Sequence, residues 1–515
     1  MAKTATELGE AYAIEGPALE LGTVVIEGKA FPDARVRMPL SMLNRHGLVA
    51  GATGTGKTKT LQLMAEQMSA AGIPVFLADI KGDVSGVAAP GVASARITER
   101  ATDTATDWVP TGFPAEFLAL GGLGNGVPVR ATMTSFGPVL LSKVLGLNDT
   151  QESSLGLVFH FADKAGLALL DLKDLRAVIS HLVSDEGKED LKGLGGLSTA
   201  TAGVILRELI GLEDQGGDVF FGEPEFDTAD LMRVAPDGRG VMSVMGLTAV
   251  QDKPRLFSTF LMWMLADLFQ DLPEVGDVEQ PKLVFFFDEA HLLFDDASEA
   301  FLDAIARTVR LIRSKGVGVF FVTQTPKDVP SEVLAQLGNR VQHALRAFTP
   351  DDAKALKATV STFPESEAYD LKELLTSMGI GEAAVTILSE RGAPTPVAWT
   401  RLRPPSSLMA QLDPAVQTAM VAASPLLVEY GASVDRESAY EKLLAKVAPV
   451  EAPAQQDPAE QERREPARDE PEREGAVAKV LGSSMFRSFA RSAASAAGRE
   501  ISRSLFGTAS RRRRR

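Results

Sequence analysis

The run Gly51-Ala52-Thr53-Gly54-Thr55-Gly56-Lys57-Thr58 has the residue types and spacing of a loop that wraps a phosphate chain, G-x-x-x-x-G-K-[ST]. Its glycines let the backbone curl so that successive N–H groups converge on a β-phosphate. A helix opening directly behind them adds partial positive charge at the same point. Lys57 is placed to neutralise the β- and γ-phosphates and the Thr58 hydroxyl to hold Mg²⁺, and the nucleotide-binding stretch is read as running from Gly51 through Lys59. A second group lies far downstream, where Lys282-Leu283-Val284-Phe285-Phe286-Phe287 ends in Asp288-Glu289. Asp288 can join the Mg²⁺ shell, and Glu289, one residue further, can polarise an attacking water. The plainer alternative is an acidic start to the next helix. A third candidate is Gln324, after Gly316-Val317-Gly318-Val319-Phe320-Phe321-Val322-Thr323, where an amide can bond both γ-phosphate and water. Its plainer alternative is a polar residue closing a strand before the turn at Pro326.

These groups need a sheet to bring them together. Gly47-Leu48-Val49-Ala50 reads as a short buried strand before the loop, and Thr60-Leu61-Gln62-Leu63-Met64-Ala65 as the helix after it. The continuous apolar runs ending at Asp288 and Thr323 have the pattern of central parallel strands covered on both faces. A further strand, Ile73–Ala78, ends at Asp79-Ile80-Lys81-Gly82-Asp83, at the carboxyl end where open α/β sheets bind ligands; Asp79 is either a metal or water contact there or a simple strand-ending acid. The expected fold class is therefore α/β: a RecA-like P-loop NTPase core of the ASCE type, with a mostly parallel central sheet and a large helical insertion. The expected layout is a short N-terminal hairpin segment over 1–40, a core over 41–110 and 235–405, a largely helical insertion over 111–234, and a helical region over 406–447. A disordered linker over 448–474 and a basic amphipathic tail over 475–515 complete it.

Composition narrows the class. The 515 residues carry a net charge of −15, and 45% of them are hydrophobic, as in a globular protein with a large core. With no cysteine, disulfides, thiol catalysis and thiolate metal sites are excluded. The first residues hold no apolar signal core, and the longest apolar helix, around Phe257–Ala266, is too short to span a bilayer, so a cytoplasmic protein without an integral membrane segment is expected. Charge is uneven: residues 475–515 hold ten Lys/Arg and one acid, leaving −24 on the rest. That tail can dock on sister subunits, DNA phosphates or anionic membrane.

Together these residues resemble the HerA–FtsK superfamily of ring-forming DNA-translocating ATPases, and most closely its bacterial HerA-like branch. The resemblance runs over most of 20–400 and is carried by the glycine loop, Pro281–Phe294, Arg310–Val319 and Leu337–Arg346. It implies a homo-oligomer, a hexameric ring with ATP and Mg²⁺ at subunit interfaces and duplex DNA in the pore; a partner nuclease is left open. It also implies an arginine reaching the site from the neighbouring subunit. Arg45 stands where HerA-like proteins carry one such residue, and Arg310 and Arg313 where the superfamily carries another; a solvated helix face is the alternative for the last two. Only 50 residues precede the glycine loop, so the N-terminal β-barrel of archaeal HerA proteins is expected to be missing, as is the winged helix of FtsK. The letters Asp288-Glu289-Ala290-His291 also spell the box of another helicase group, but no arginine-rich glutamine motif follows, and His291 is expected to be a packed helix residue. The leading expectation is an ATPase that moves duplex DNA. The rivals are a regulatory or assembly ATPase that switches a protein complex, and a non-hydrolysing nucleotide-bound scaffold.

Overall fold

A computed structural model describes residues 1–447 apart from Lys192, Asp277, Asp295, Asp296 and Ser298; the linker and basic tail expected beyond 447 lie outside the described residues. The strands are β1 (Ala18–Ile26), β2 (Lys29–Pro39), β3 (Gly47–Ala50), β4 (Val75–Asp79), β5 (Ala115–Leu120), β6 (Val127–Val129), β7 (Met242–Gly246), β8 (Leu283–Phe287), β9 (Val317–Thr323), β10 (Asn339–His343), β11 (Glu382–Thr386) and β12 (Ala398–Leu402). All twelve form one sheet in the order β2-β1-β12-β11-β10-β3-β9-β8-β4-β7-β5-β6. From β10 to β6 every pairing is parallel, whereas β11, β12, β1 and β2 are antiparallel.

Period-two alternation explains the layers. In β8, Leu283, Phe285 and Phe287 pack on one face, and Val284 and Phe286 on the other. β9 divides in the same way, with Val317, Val319 and Phe321 opposite Phe320 and Val322. The first face is covered by the long helix Pro254–Asp271, the helix Glu299–Ile312 and the inserted helices. The second is covered by the helix Lys57–Ala70, through Leu61, Met64, Ala65 and Met68, and by the N-terminal elements. Both faces of the central strands are therefore dry, which is why their sequence runs lack polar alternation.

Three features depart from the sequence reading. The α-helices described between the first half of the core and β7 lie within 133–220, with a 3₁₀ turn at Thr228–Met232, while 115–120 and 127–129 are strands that lengthen the sheet. β5 reads Ala-Glu-Phe-Leu-Ala-Leu, without a β-branched residue; its Glu116 is buried because Arg233 pairs with it at 2.7 Å. The N-terminal hairpin is present but is preceded by a helix, Ala2–Ala11, and joins the main sheet through β1 on β12. β12 itself was not anticipated: Ala-Trp-Thr-Arg-Leu is too short and mixed to announce a strand. Residues 406–447 contain the expected helices, at 414–422, 425–430 and 439–447.

Candidate nucleotide site

β9 lies between β3 and β8, so the glycine loop, the Thr323-Gln324 corner and Asp288-Glu289 all emerge at the same carboxyl edge of three adjacent parallel strands. The loop is sewn to its neighbours by backbone bonds: Gly51 N donates to Thr323 O at 3.2 Å, and Ala52 N to Ala344 O at 2.9 Å. Gly54 and Gly56 adopt φ of 81° and 111°, a region that favours glycine. Gly51 has no room for a side chain, since a Cβ there would lie 2.4 Å from that of His343. Lys57 is buried, and its Nζ donates to Gly51 O at 2.7 Å and Ala52 O at 3.4 Å. The ammonium is thus folded back into the very turn a phosphate would occupy. Burial pulls its pKa below the ordinary lysine range, with Glu289 and then Asp288 pulling it back up.

Asp288 is buried at the β8 tip. Its Oδ1 accepts from Glu289 N at 2.9 Å, while Oδ2 has no hydrogen-bond partner among the described residues. Burial, and next the adjacent Glu289, push its carboxyl up to about 7. An acid held in this way has one oxygen left to engage, and a divalent ion would engage it. Among the described residues no cluster of three or more His, Cys, Asp or Glu could cage a metal alone. The set fits Mg²⁺ as that ion is ordinarily bound, through one carboxylate, the Thr58 hydroxyl, water and substrate phosphates.

Glu289 has φ of 47°, in the left-handed region that a side-chain-bearing residue occupies only under constraint. That backbone turns its carboxylate back toward the edge, where Oε1 pairs with Lys81 Nζ and Oε2 lies 3.2 Å from His291 Nδ1. His291 opens the short helix His291–Phe294 and so meets the site directly, whereas packing alone was expected of it. Asp79, the other candidate on that edge, is consumed by its own loop. Its oxygens accept from the backbone N–H groups of Gly82, Asp83 and Val84 at 2.7, 3.2 and 3.1 Å. Burial leaves this carboxyl raised to about 6. Its role is to shape the turn that presents Lys81.

Gln324 is exposed at the β9 tip, and Asp328 fixes the corner beside it by accepting from Thr323 Oγ1 at 2.8 Å and Thr325 N at 2.9 Å. Lys59 points away from the loop, toward Gln62 Oε1 at 3.2 Å and Asp83 O at 3.5 Å. The arginines are not brought to this edge. Arg45 ends the 3₁₀ turn before β3, and Arg310 and Arg313 precede β9, so all three stand where the parallel strands begin. The intervening strand puts roughly 15–20 Å between Arg45 and the glycine loop of the same protomer. Arg45 and Arg313 do share a neighbourhood, since both contribute to holding buried His46 at about 4, with burial the larger cause. Lys81 and His343 escaped the sequence reading. The only signal for either was position: Lys81 in the flagged strand tip, His343 in the Leu337–Arg346 stretch. His343 is buried behind the loop, its Nε2 2.9 Å from Thr60 Oγ1, and burial followed by the charge of Lys57 holds it neutral at about 4.

A strand inserted between the phosphate-loop strand and the acidic strand, with a buried Asp-Glu pair at its side, defines the architecture. The family described as Helicase HerA-like C-terminal matches residues 25–515. The chain belongs to that family. Among curated relatives of this HerA-like chain is the DNA double-strand break repair helicase HerA of Saccharolobus solfataricus, 20% identical over 383 residues, covering 74% of this chain and 68% of that protein. Another is the probable helicase MJECL08 of Methanocaldococcus jannaschii, 29% identical over 154 residues and 28% of each chain. Solved structures of the plasmid coupling protein TrwB share the fold. The complex with ADP and Mg²⁺ superposes with a TM-score of 0.52 at 16% identity, over 79% of this chain and 94% of that one. The complex with the ATP analogue ADPNP gives the same values. The expected HerA–FtsK resemblance and P-loop ASCE fold class are thereby established. Among the described residues no helix is long and apolar enough to cross a membrane.

Proposed function

We propose that this HerA-like ATPase hydrolyses Mg-ATP at a site completed by a neighbouring copy in a ring, and that the cleavage drives movement along duplex DNA. The observation that carries the reading is the approach of Lys57, Asp288 and Glu289 to one another across the tip of β9, with a buried Asp288 oxygen left unpaired. The nucleotide-bound TrwB structures and the helicase names of the curated relatives support it.

The chain's residues divide the work as follows. The backbone N–H groups of Gly54 to Thr58 cradle the α- and β-phosphates. Lys57 leaves the Gly51 carbonyl for the phosphate oxygens, exchanging a neutral acceptor for a charged one. Asp288 and the Thr58 hydroxyl would hold Mg²⁺, which would supply positive charge against the phosphates. Glu289 accepts the proton of the attacking water, and Gln324 orients that water against the γ-phosphate. Arg45, Arg310 or Arg313 of the adjoining subunit supplies positive charge to the transferred phosphoryl. One observation keeps a second reading in view: the −24 charge outside the tail opposes broad DNA contact and suits an ATPase that switches a protein complex.

ATP turnover of the full chain, measured with and without long duplex DNA at about 50 and 200 mM salt, separates the two, because counterion release weakens DNA binding as salt rises. A motor shows DNA stimulation that fades at the higher salt. Turnover indifferent to DNA at both concentrations rejects the motor and favours the protein switch.

A further inference from the structure

Glu289 is the one group assigned to take a proton from water, yet its Oε1 is already engaged, and Oε2 is buried without a hydrogen-bond partner among the described residues. Lys81 Nζ pairs with Oε1, and His291 Nδ1 lies 3.2 Å from Oε2. A carboxylate oxygen clasped by an ammonium is not available to water. The Lys81 contact is also built rather than incidental. The carboxylate of Asp79 gathers the N–H groups of Gly82, Asp83 and Val84 into a tight turn, with Gly82 at φ 76°. That turn follows β4, which pairs directly with β8, and presents Lys81 to Glu289 beyond the β8 tip. Glu289 meets it from a backbone conformation that is itself constrained, at φ 47°. Two separately ordered corners thus converge on one ion pair, with Glu289 6% and Lys81 44% exposed at the side chain.

We propose that Lys81 is a positioning residue that holds the Glu289 carboxylate in a resting pose, and that turnover requires this pair to open. What opens it arrives with the nucleotide: a γ-phosphate entering beside Lys57 offers the Lys81 ammonium a stronger acceptor, so that arrival of the triphosphate releases the base. ADP, lacking that phosphate, leaves the pair closed. The inference rests on the reading of Glu289 as the proton acceptor.

The test compares Lys81→Ala, Lys81→Gln, Lys81→Arg and Glu289→Gln in the full chain without DNA. Loss of the ammonium is expected to raise kcat about two- to five-fold, the range that a half-exposed ion pair corresponds to, while KM for ATP rises because the γ-phosphate loses the Lys81 contact. Lys81→Arg keeps a cation and stays at the wild-type rate, which a merely structural role for the side chain would not require. A kcat that is unchanged or lower in both Lys81→Ala and Lys81→Gln overturns the restraint. Glu289→Gln separates the two layers: if it is inactive while Lys81→Ala is also slow, only the restraint fails; if it turns over normally, the base assignment fails and the restraint with it.

Discussion

Replacing Glu289 by Gln keeps the size of the side chain and removes its ability to take a proton. The loss expected is about 10²–10⁴-fold in kcat, the usual contribution of a positioned general base, with nucleotide affinity held within a few-fold. Steady-state hydrolysis and fluorescent-nucleotide titration check the two halves, and a variant with full turnover refutes the assignment. Lys57→Ala is the complement, because it strikes affinity itself; normal nucleotide binding by that variant would remove the phosphate loop from the argument. These residues were legible in the sequence because their chemistry demands a fixed local string: a glycine loop must curl, and a strand-ending Asp-Glu pair has few other uses. Lys81 and His343 were not. Each becomes meaningful only through a partner more than 200 residues away, Glu289 for the first and Thr60 for the second. Asp79 is the opposite case, an acid at the right edge, open in the sequence between ligand and strand-ending acid, whose oxygens accept from its own loop.

At the level of elements, the central strands and the helix behind the loop follow from apolar runs and a glycine start, and they were readable. The strands β5, β6 and β12 were not, because such short strands depend on a neighbour for their pairing. The N-terminal hairpin offers a direct check of that dependence. Gly22 faces β12 so closely that a Cβ would lie 2.0 Å from the Arg401 carbonyl oxygen. Gly22→Ala must push the strands apart and is expected to cost about 1–3 kcal/mol, read as a lower denaturant midpoint; an unshifted midpoint would mean the hairpin is not part of the sheet. A second check concerns Glu66, buried on the phosphate-loop helix. It accepts from Ser406 N at 2.6 Å, Ser407 N at 3.1 Å and Ser407 Oγ at 2.9 Å. Burial outweighs these donors and lifts its carboxyl to about 7. The folded state therefore binds this proton more tightly than the unfolded chain. The stability it contributes is complete below the unfolded value of about 4.5 and is lost as pH rises through about 7. Wild type should gain on Glu66→Gln as pH is lowered across that window, by a few kcal/mol at most; a gap that does not change with pH refutes the linkage.

The arginines belong to the scale of the assembly. Arg45, Arg310 and Arg313 stand at the edge of the sheet where β3 and β9 begin, with the length of a strand between them and their own phosphate loop. No rotamer of a side chain roughly 7 Å long crosses roughly 15–20 Å of packed sheet. If one of them acts on a phosphoryl group, that group is in another protomer, and the two edges of the sheet face each other around a closed head-to-tail ring. Such a site can be rebuilt from two broken chains. An arginine variant, such as Arg45→Ala, retains Lys57 and Glu289, whereas Glu289→Gln retains all three arginines. Each alone should be nearly inactive. Mixed in equal amounts and allowed to exchange subunits, they re-create an intact interface wherever the first chain is followed by the second. Independent sites would then recover about one quarter of wild-type turnover. The arginine whose variant is rescued is the one that reaches across, and this decides among the three where sequence alone could not. If every arginine variant is either fully active alone or never rescued in the mixture, the cleft is not shared between protomers. Hydrolysis would then have to be completed by cations of the same chain, with Lys81 already at the edge of the site.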